Sequence, residues 1–217
     1  MKPKYLGDSY DIVKQSLLRW LSSMGPWATH PMFTESVSSM QADDFAKFLG
    51  TRLLCQGILA NGVDRIEYLA QARECNEHVF IDPDTGIRLK PTRGKKAPAY
   101  IFGTELIEIA SARPDKLVLI FDQSLARGAE RQQLNDKLHT FAANGVHAVA
   151  YVSHACFVLM GKNSSLLEKA FDVLQSESRL PRNRFLTGPS QNNKIRISPE
   201  LRNECSGLIH GSRSRGQ

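Results

Sequence analysis

The feature that most constrains the fold is an uninterrupted apolar run near the middle of the chain. Residues 117–121 read Leu-Val-Leu-Ile-Phe, and the polar segment Asp122-Gln123-Ser124 follows directly. A strand that is apolar at every position is buried on both faces, which is typical of a parallel sheet covered by helices on each side. The run therefore predicts a central strand over residues 116–122.

Helical and strand patterns alternate on both sides of that run. Apolar residues at helical spacing, with capping residues before them, predict helices over 8–22, 43–58, 64–75, 104–112, 131–143 and 165–177. Strand patterns cover 78–82, 116–122 and 146–153, with 157–160 as a further strand or a continuation and 27–34 as an extended segment. The alternation predicts an α/β, Rossmann-like three-layer sandwich: a mostly parallel sheet with helices on both faces.

The length and the charge distribution predict how the chain is organised. A chain of 217 residues is within the range of one domain, and we expect a single α/β domain over 1–187 followed by a basic, weakly ordered tail over 188–217. The net charge is +6, and residues 179–217 carry eight basic residues against two acidic ones, so the rest of the chain is neutral overall. A second basic cluster contains Arg88, Lys90, Arg93, Lys95 and Lys96.

Such clusters attract polyanions, so nucleic acid is one predicted partner. Solvated surface charge and a flexible tail explain the same clusters equally well.

The four cysteines form no Cys-x-x-Cys pair and have no zinc spacing, which predicts reduced thiols. The chain has no apolar segment of the ~20 residues that would span a bilayer, and its start lacks the apolar region of a secretory signal. We therefore expect a cytoplasmic protein with no membrane contact; the sequence does not fix its oligomeric state.

Polar groups follow three of the predicted strands, where the ligand crevice of an open parallel sheet lies. The segments are Asp82-Pro83-Asp84, Asp122-Gln123-Ser124 and Ser153-His154. We expect the carboxylates of Asp82 and Asp122 to project from neighbouring strand ends into a common cavity. A plain β-turn is the alternative for Asp82-Pro83-Asp84, because the segment has good turn chemistry. His154 is a candidate general base, or a structural histidine at a strand end.

The first predicted helix begins in a segment rich in ionisable groups, Gly7-Asp8-Ser9-Tyr10-Asp11-Ile12-Val13-Lys14. Asp8 and Asp11 can stabilise the helix start, because anions favour the N-terminus of a helix. Lys14 lies one turn further, beside the apolar face. It could reach an anionic ligand or form an ion pair with Asp11.

Two of these segments resemble motifs of a known family. The Gly7 to Lys14 segment looks like the Gly-Asn-x-Ala-Asp-x-x-Lys segment of the bacterial ribosomal-RNA adenine-N6 methyltransferases. Phe80-Ile81-Asp82-Pro83-Asp84-Thr85-Gly86 stands where those enzymes carry Asp-Pro-Pro-Tyr. It resembles more closely a Phe-Asp-Pro-Asp-Asn-Gly motif of an uncharacterised prokaryotic and phage group. The likeness covers scattered motifs over roughly residues 5–160.

The resemblance implies a Rossmann-like methyltransferase fold and roles for particular residues. Asp82 would hold the target amine and Pro83 would offer its carbonyl. Asp84 and Asp122, at the strand ends, are the other candidate catalytic residues. The S-adenosylmethionine site would involve Gly7, Asp8, Asp11 and Lys14. The candidate substrate-binding residues are Gln123, Ser124, His154, Arg88 and Lys90.

Three functional hypotheses follow from the sequence. The first is a divergent S-adenosylmethionine-dependent methyltransferase-like protein that acts on or binds nucleic acid. The second is a Mg²⁺-dependent nuclease in which Asp82, Asp84 and Asp122 gather the metal, since hard divalent ions prefer carboxylates. The third is a binding module for nucleic acid or protein that has the fold without the reaction.

Overall fold

The computed structural model describes residues 2–189. The predicted tail over 188–217 therefore lies almost entirely outside the described residues. The helices are α1 (Ser9–Trp20), α2 (Ser39–Leu49), α3 (Arg65–Tyr68), α4 (Ala70–Glu74), α5 (Gly103–Ala112), α6 (Glu130–Ala143) and α7 (Ser164–Ser178). The strands are β1 (Trp27–His30), β2 (Arg52–Leu53), β3 (His78–Ile81), β4 (Gly86–Arg88), β5 (Tyr100–Phe102), β6 (Val118–Asp122), β7 (His147–Tyr151), β8 (Cys156–Gly161) and β9 (Phe185–Thr187).

Seven of these strands form one sheet in the order β2-β1-β3-β6-β8-β7-β9. The first four are mutually parallel, and β8 runs antiparallel to both of its neighbours, β6 and β7. The edge strand β9 is antiparallel to β7. The remaining two strands, β4 and β5, pair with each other in a separate parallel ribbon. The predicted central strand is β6, which is buried at all five positions.

Helices cover both faces of the sheet, because alternate residues of each strand point to opposite sides. On one face, Val79, Ile81, Val118 and Ile120 pack under apolar side chains of α4, α5 and α6. On the other face, Phe80, Leu119 and Phe121 pack under α1, α2 and α7. The predicted Rossmann-like α/β fold, a mostly parallel sheet between two helical layers, is confirmed.

The first third of the chain differs most from the sequence-based prediction. The second helix begins after Ser38 and ends at Gly50, instead of running from 43 to 58. Ser38 and Gln41 form a reciprocal capping box, and Gly50 takes the left-handed conformation (φ 70°) that ends helices. The chain then enters the short strand β2, so residues that were predicted to be helical form an edge of the sheet. The predicted helix 64–75 is divided into α3 and α4.

Four further differences concern short or antiparallel strands. The strands β4 and β5 lie on either side of the basic cluster, and they and β9 are in parts of the chain with no strand prediction. Residues 156–161 form a separate strand, β8, that folds back on β7. Each of β4, β5 and β9 is three residues long, which is too short to show an alternating pattern.

Candidate functional site at the carboxyl ends of β3 and β6

The start of α1 is built by the acidic residues that the sequence singled out. Asp8 is the N-cap: its side chain accepts from the backbone N–H groups of Tyr10 (2.9 Å) and Asp11 (3.1 Å). Asp11 accepts from the backbone N–H of Gly7 at 2.7 Å. These bonds satisfy N–H groups that the helix itself leaves without partners. They fix the orientation of Asp11 and, one turn further, of Lys14.

Lys14 connects this helix start to the end of β3. Its ammonium lies 2.7 Å from Asp11 Oδ1 and 2.8 Å from Asp82 Oδ2. All three side chains are almost fully buried, with side-chain exposures of 5% for Lys14 and 1% for each carboxylate. The ammonium also lies 4.4 Å from the centroid of the Phe121 ring, within cation–π range. Of the two alternatives that the sequence left open for Lys14, the structure shows the ion pair with Asp11, and it adds a second ion pair with Asp82.

The environment shifts the acid–base equilibria of this group. Burial raises the pKa of the Asp82 carboxyl above its ordinary value, and the Lys14 ammonium opposes that rise. Burial acts to lower the pKa of Lys14, but the carboxylates of Asp82 and Asp11 outweigh it, so the pKa of Lys14 is raised. Lys14 therefore stays a cation and neutralises part of the charge of two buried acids.

One oxygen of Asp82 is left without a partner. Oδ2 is bound to Lys14, whereas no described residue donates to Oδ1, which is shielded from solvent. A buried carboxylate oxygen without a donor costs free energy, on the order of 1–3 kcal/mol or more. The position therefore favours a donor brought by a ligand or an ordered water.

A cavity of about 220 Å³ lies beside these groups. Its walls combine carboxylates and amines with aromatic rings, and Tyr10 and Phe121 stand 5.8 Å apart, centroid to centroid. The lining residues are Lys2, Tyr5, Asp8, Tyr10, Asp11, Lys14, Asp82, Pro83, Asp84, Phe121 and Gln123. This cavity brings together the Asp82-Pro83-Asp84 segment and the start of α1, which are about 70 residues apart in the sequence.

Asp122 does not share this cavity, so the predicted pairing of Asp82 and Asp122 is wrong. Ile81 is level with Ile120 in the register of β3 and β6, which places Asp82 level with Phe121. Asp82 consequently faces α1, and Asp122, one residue further, faces α6 on the opposite side of the sheet. There the fully buried Asp122 accepts from Lys137 at 2.6 Å and from the N–H of Ile87 at 3.0 Å.

The other predicted site residues fall into three groups. Gln123 lines the cavity, and its amide donates to the carbonyl of His154. The exposed His154 ring stacks on Tyr10 with a centroid distance of 5.6 Å, outside the cavity lining. Ser124 belongs to the Asp122 group, and the residues Gly7, Arg88 and Lys90 are exposed and outside the lining.

The proposed arrangement of three carboxylates around Mg²⁺ is not formed. Because Asp122 faces away, it cannot join Asp82 and Asp84 in one coordination sphere. Across residues 2–189, no group of three or more His, Cys, Asp or Glu side chains could hold a metal ion.

None of the helices within residues 2–189 combines the length and the hydrophobicity that a membrane span requires.

Of the residues implied for S-adenosylmethionine, Asp8, Asp11 and Lys14 line the cavity, but the described residues directly after β1 offer the cofactor no glycine-rich loop. The segment after β1 reads Pro31-Met32-Phe33 and has no glycine, and Met32 and Phe33 are fully buried in the two cores. Met32 takes a positive φ of 44°. The cavity of about 220 Å³ is smaller than the roughly 300–1,000 Å³ typical of sites for drug-sized ligands.

Comparisons with known proteins identify no family for this chain. No protein-family model and no curated protein matches the chain. Among solved structures, it is similar to the crystal structure of human methyltransferase-like protein 13 in complex with SAH, with 12% identity and a TM-score of 0.37. The similarity covers 85% of this chain and 95% of that one. An overlap this loose does not transfer the role of any residue, and the resemblance to base methyltransferases stays a prediction.

Proposed function

We propose that this chain is a divergent methyltransferase-like protein that binds nucleic acid and receives an amino-bearing base in the cavity beside Asp82. The observation that carries the proposal is the asymmetry of the Asp82 carboxylate. Lys14 occupies Oδ2 and holds the group in place, while Oδ1 has no donor among the described residues. An exocyclic amine supplies the missing donor.

The walls of the cavity suit a flat ligand of this kind. The partly exposed Tyr10 offers an aromatic surface, and stacking on an aromatic side chain contributes about 1–3 kcal/mol per base in single-strand binding. Pro83 has no backbone N–H that could compete for the Asp82 oxygens. A base within a duplex cannot reach such a cavity, so we expect binding to single strands or to a base turned out of its stack.

The basic cluster supports nucleic acid as the source of the base. Arg88, Lys90, Arg93, Lys95 and Lys96 are all exposed, and no acidic residue lies among them. They begin six residues after Asp82, so the cavity and the cationic surface are close along the chain. Phosphate contacts supply the bulk of sequence-independent affinity for nucleic acid.

The test compares variants in binding to a fluorescent single-stranded oligonucleotide that contains adenine. Replacing Asp82 by Asn removes the charge that strengthens the hydrogen bond, and a bond to a charged group contributes about 1.5–3 kcal/mol, or roughly tenfold to hundredfold in affinity. Asp115→Asn changes an exposed acid at the opposite end of the strands and is the matched control. Equal affinities for Asp82→Asn and the wild type would remove the basis of the proposal.

Methyl transfer from S-adenosylmethionine is the finer form of the proposal. Calorimetry with the cofactor decides it directly: saturable binding that is weakened by Lys14→Met would support it. A clean absence of heat at high micromolar cofactor would leave a protein that binds bases without transferring methyl groups. The buried Met32 and Phe33 beyond β1 favour this second outcome.

A further inference from the structure

The two-stranded ribbon of β4 and β5 must be held in place by contacts with other parts of the protein. We call residues 86–102 the basic ribbon; it contains both strands and the five exposed cations between Arg88 and Lys96. Each strand has three residues, and an isolated two-stranded ribbon is marginally stable at best. The position of the basic ribbon relative to the cavity is therefore set by what holds it.

Residues at the end of β6 form hydrogen bonds with both the N–H and the carbonyl of one residue of β4, Ile87. Asp122 Oδ1 accepts from the N–H of Ile87 at 3.0 Å, and Ser124 Oγ lies 2.7 Å from the carbonyl oxygen of Ile87. The backbone N–H of Gln123 adds a bond of 2.9 Å to the carbonyl of Thr85. Side chains thus take the place of the ladder that a neighbouring strand would provide.

The start of β4 lies so close to the end of β6 that there is no space for a side chain at Gly86. A Cβ there would stand 2.2 Å from Asp122 Oδ1 and 2.8 Å from the backbone nitrogen of Gln123. Gly86 also has a φ of +138°, which side-chain-bearing residues rarely adopt. This close contact defines one position for the basic ribbon.

A buried lysine fixes the orientation of Asp122. Lys137 on α6 donates to Asp122 Oδ2 at 2.6 Å and to Ser124 Oγ at 2.9 Å. Both oxygens of Asp122 are therefore engaged, and neither faces the cavity. This arrangement suits a residue that positions its neighbours and not one that touches a ligand.

We propose that Asp122 is a positioning residue that fixes the basic ribbon at the carboxyl end of β6, the edge of the sheet that also carries Asp82, so that nucleic acid held by the cations of the ribbon presents a base to the cavity. This inference rests on the proposed function for its ligand. The anchoring itself is a property of the protein alone and can be measured without nucleic acid.

The principal variant is Asp122→Ala/Lys137→Met, which removes both charges and so leaves no unpaired buried ion. Limited trypsin digestion reports the order of the basic ribbon, through cleavage after Arg93 and Lys95. Oligonucleotide titrations at several salt concentrations report how many phosphates are engaged, because the slope of log K against log salt scales with that number. Thr140→Ala, which removes a hydroxyl from the outer side of α6, is the control.

We expect the double variant to be cleaved about tenfold faster at these sites, to bind about tenfold more weakly, and to show a salt slope smaller by about one or more. If the double variant does not fold, Ser124→Ala is the deciding variant, and we expect its cleavage rate to rise about fivefold because it loses the hydroxyl that bonds to the Ile87 carbonyl. Unchanged cleavage in a folded variant would overturn the inference. A wild type that does not bind nucleic acid would instead overturn the proposed function, and the digestion would still test the anchor.

Discussion

At the scale of single residues, the site depends on one lysine that connects distant parts of the chain. The sequence places Lys14 three residues after Asp11, so their ion pair could be predicted from helical spacing. Its bond to Asp82 spans 68 residues and depends on how α1 packs on the sheet. The sequence does contain evidence for the ion pair of Lys137. This lysine lies between Leu134 and Leu138 on the buried side of α6, where a cation needs a buried partner.

Replacing Lys14 by Met should strongly destabilise the protein. The change leaves Asp11 and Asp82 buried without their shared cation, and breaking a buried ion pair typically costs about 3–5 kcal/mol. Urea unfolding of wild type and variant at neutral pH measures the difference. Lys47→Met, at an exposed lysine on α2, is the control. A destabilisation below about 1 kcal/mol would show that the Lys14 ion pairs contribute little to the free energy of unfolding.

His30 should make the protein less stable in mild acid. Burial lowers the pKa of His30 to about 4, while its hydrogen bond to the Tyr68 carbonyl opposes the shift. The folded state therefore binds fewer protons than the unfolded state, so the stabilisation is complete above the ordinary pKa of 6.5 and is lost as the pH falls towards about 4. The full effect is about 3 kcal/mol for such a shift.

The measurement is the free energy of unfolding at about pH 7 and about pH 4.5 for wild type and His30→Gln. The variant cannot titrate at this position, so its stability should fall less over the same interval. His78, whose pKa burial also lowers, contributes to the fall in both proteins and cancels in the comparison. Identical slopes for the two proteins would show that His30 is not the group responsible.

At the scale of helices and strands, long patterns were predictable and short ones were not. The sequence predicts α1, α5, α6 and α7 to within two residues at each end, because three or four turns of periodic apolar residues leave a clear pattern. The start of α2 was not predicted, because the polar composition of residues 37–41 favours a loop, although Ser38 and Gln41 have the spacing of a capping box. The short strands β2, β4, β5 and β9 are defined by their pairing with other strands, and their own sequences show no strand pattern.

The cap of α2 gives a prediction at this scale. Ser38→Ala removes the hydroxyl that accepts from the backbone N–H of Gln41, and should lower the free energy of unfolding by about 1 kcal/mol. Ser39→Ala, at the next and equally exposed position, removes a hydroxyl that does not cap the helix. Thermal unfolding of both variants measures the contrast, and a Ser39 effect as large as the Ser38 effect would contradict this account of the helix start.

At the scale of the whole molecule, the sheet decides which predicted residues meet. The sequence places Asp82 and Asp122 at strand ends but does not give the register of β3 against β6. A shift of one residue turns a side chain to the other face. The structure therefore divides the predicted catalytic set: Asp82, Pro83 and Asp84 line the cavity, whereas Asp122 faces the other side of the sheet and anchors the start of the basic ribbon there.

If the chain binds nucleic acid as proposed, the distribution of charge predicts that the basic ribbon forms the interface. Changing Lys90, Arg93 and Lys95 together to Gln should weaken binding to a single strand and reduce the salt slope by about 2, because each phosphate that a cation neutralises contributes about 0.7 to the slope. Changing Arg19, Lys47 and Lys169 to Gln removes three exposed charges from α1, α2 and α7 and is the control. Anisotropy titrations between roughly 50 and 200 mM salt compare the two. Equal slopes for the triple variants would place the interface elsewhere.

The most direct measurement combines a change in the protein with a change in the base. Wild type and Asp82→Asn are each titrated with two oligonucleotides that differ only in the exocyclic amine of one purine. If Asp82 Oδ1 accepts from that amine, the wild type should prefer the amino-bearing strand by about tenfold or more, and the variant should lose the preference. The same preference in both proteins would contradict the central claim that Asp82 receives the base.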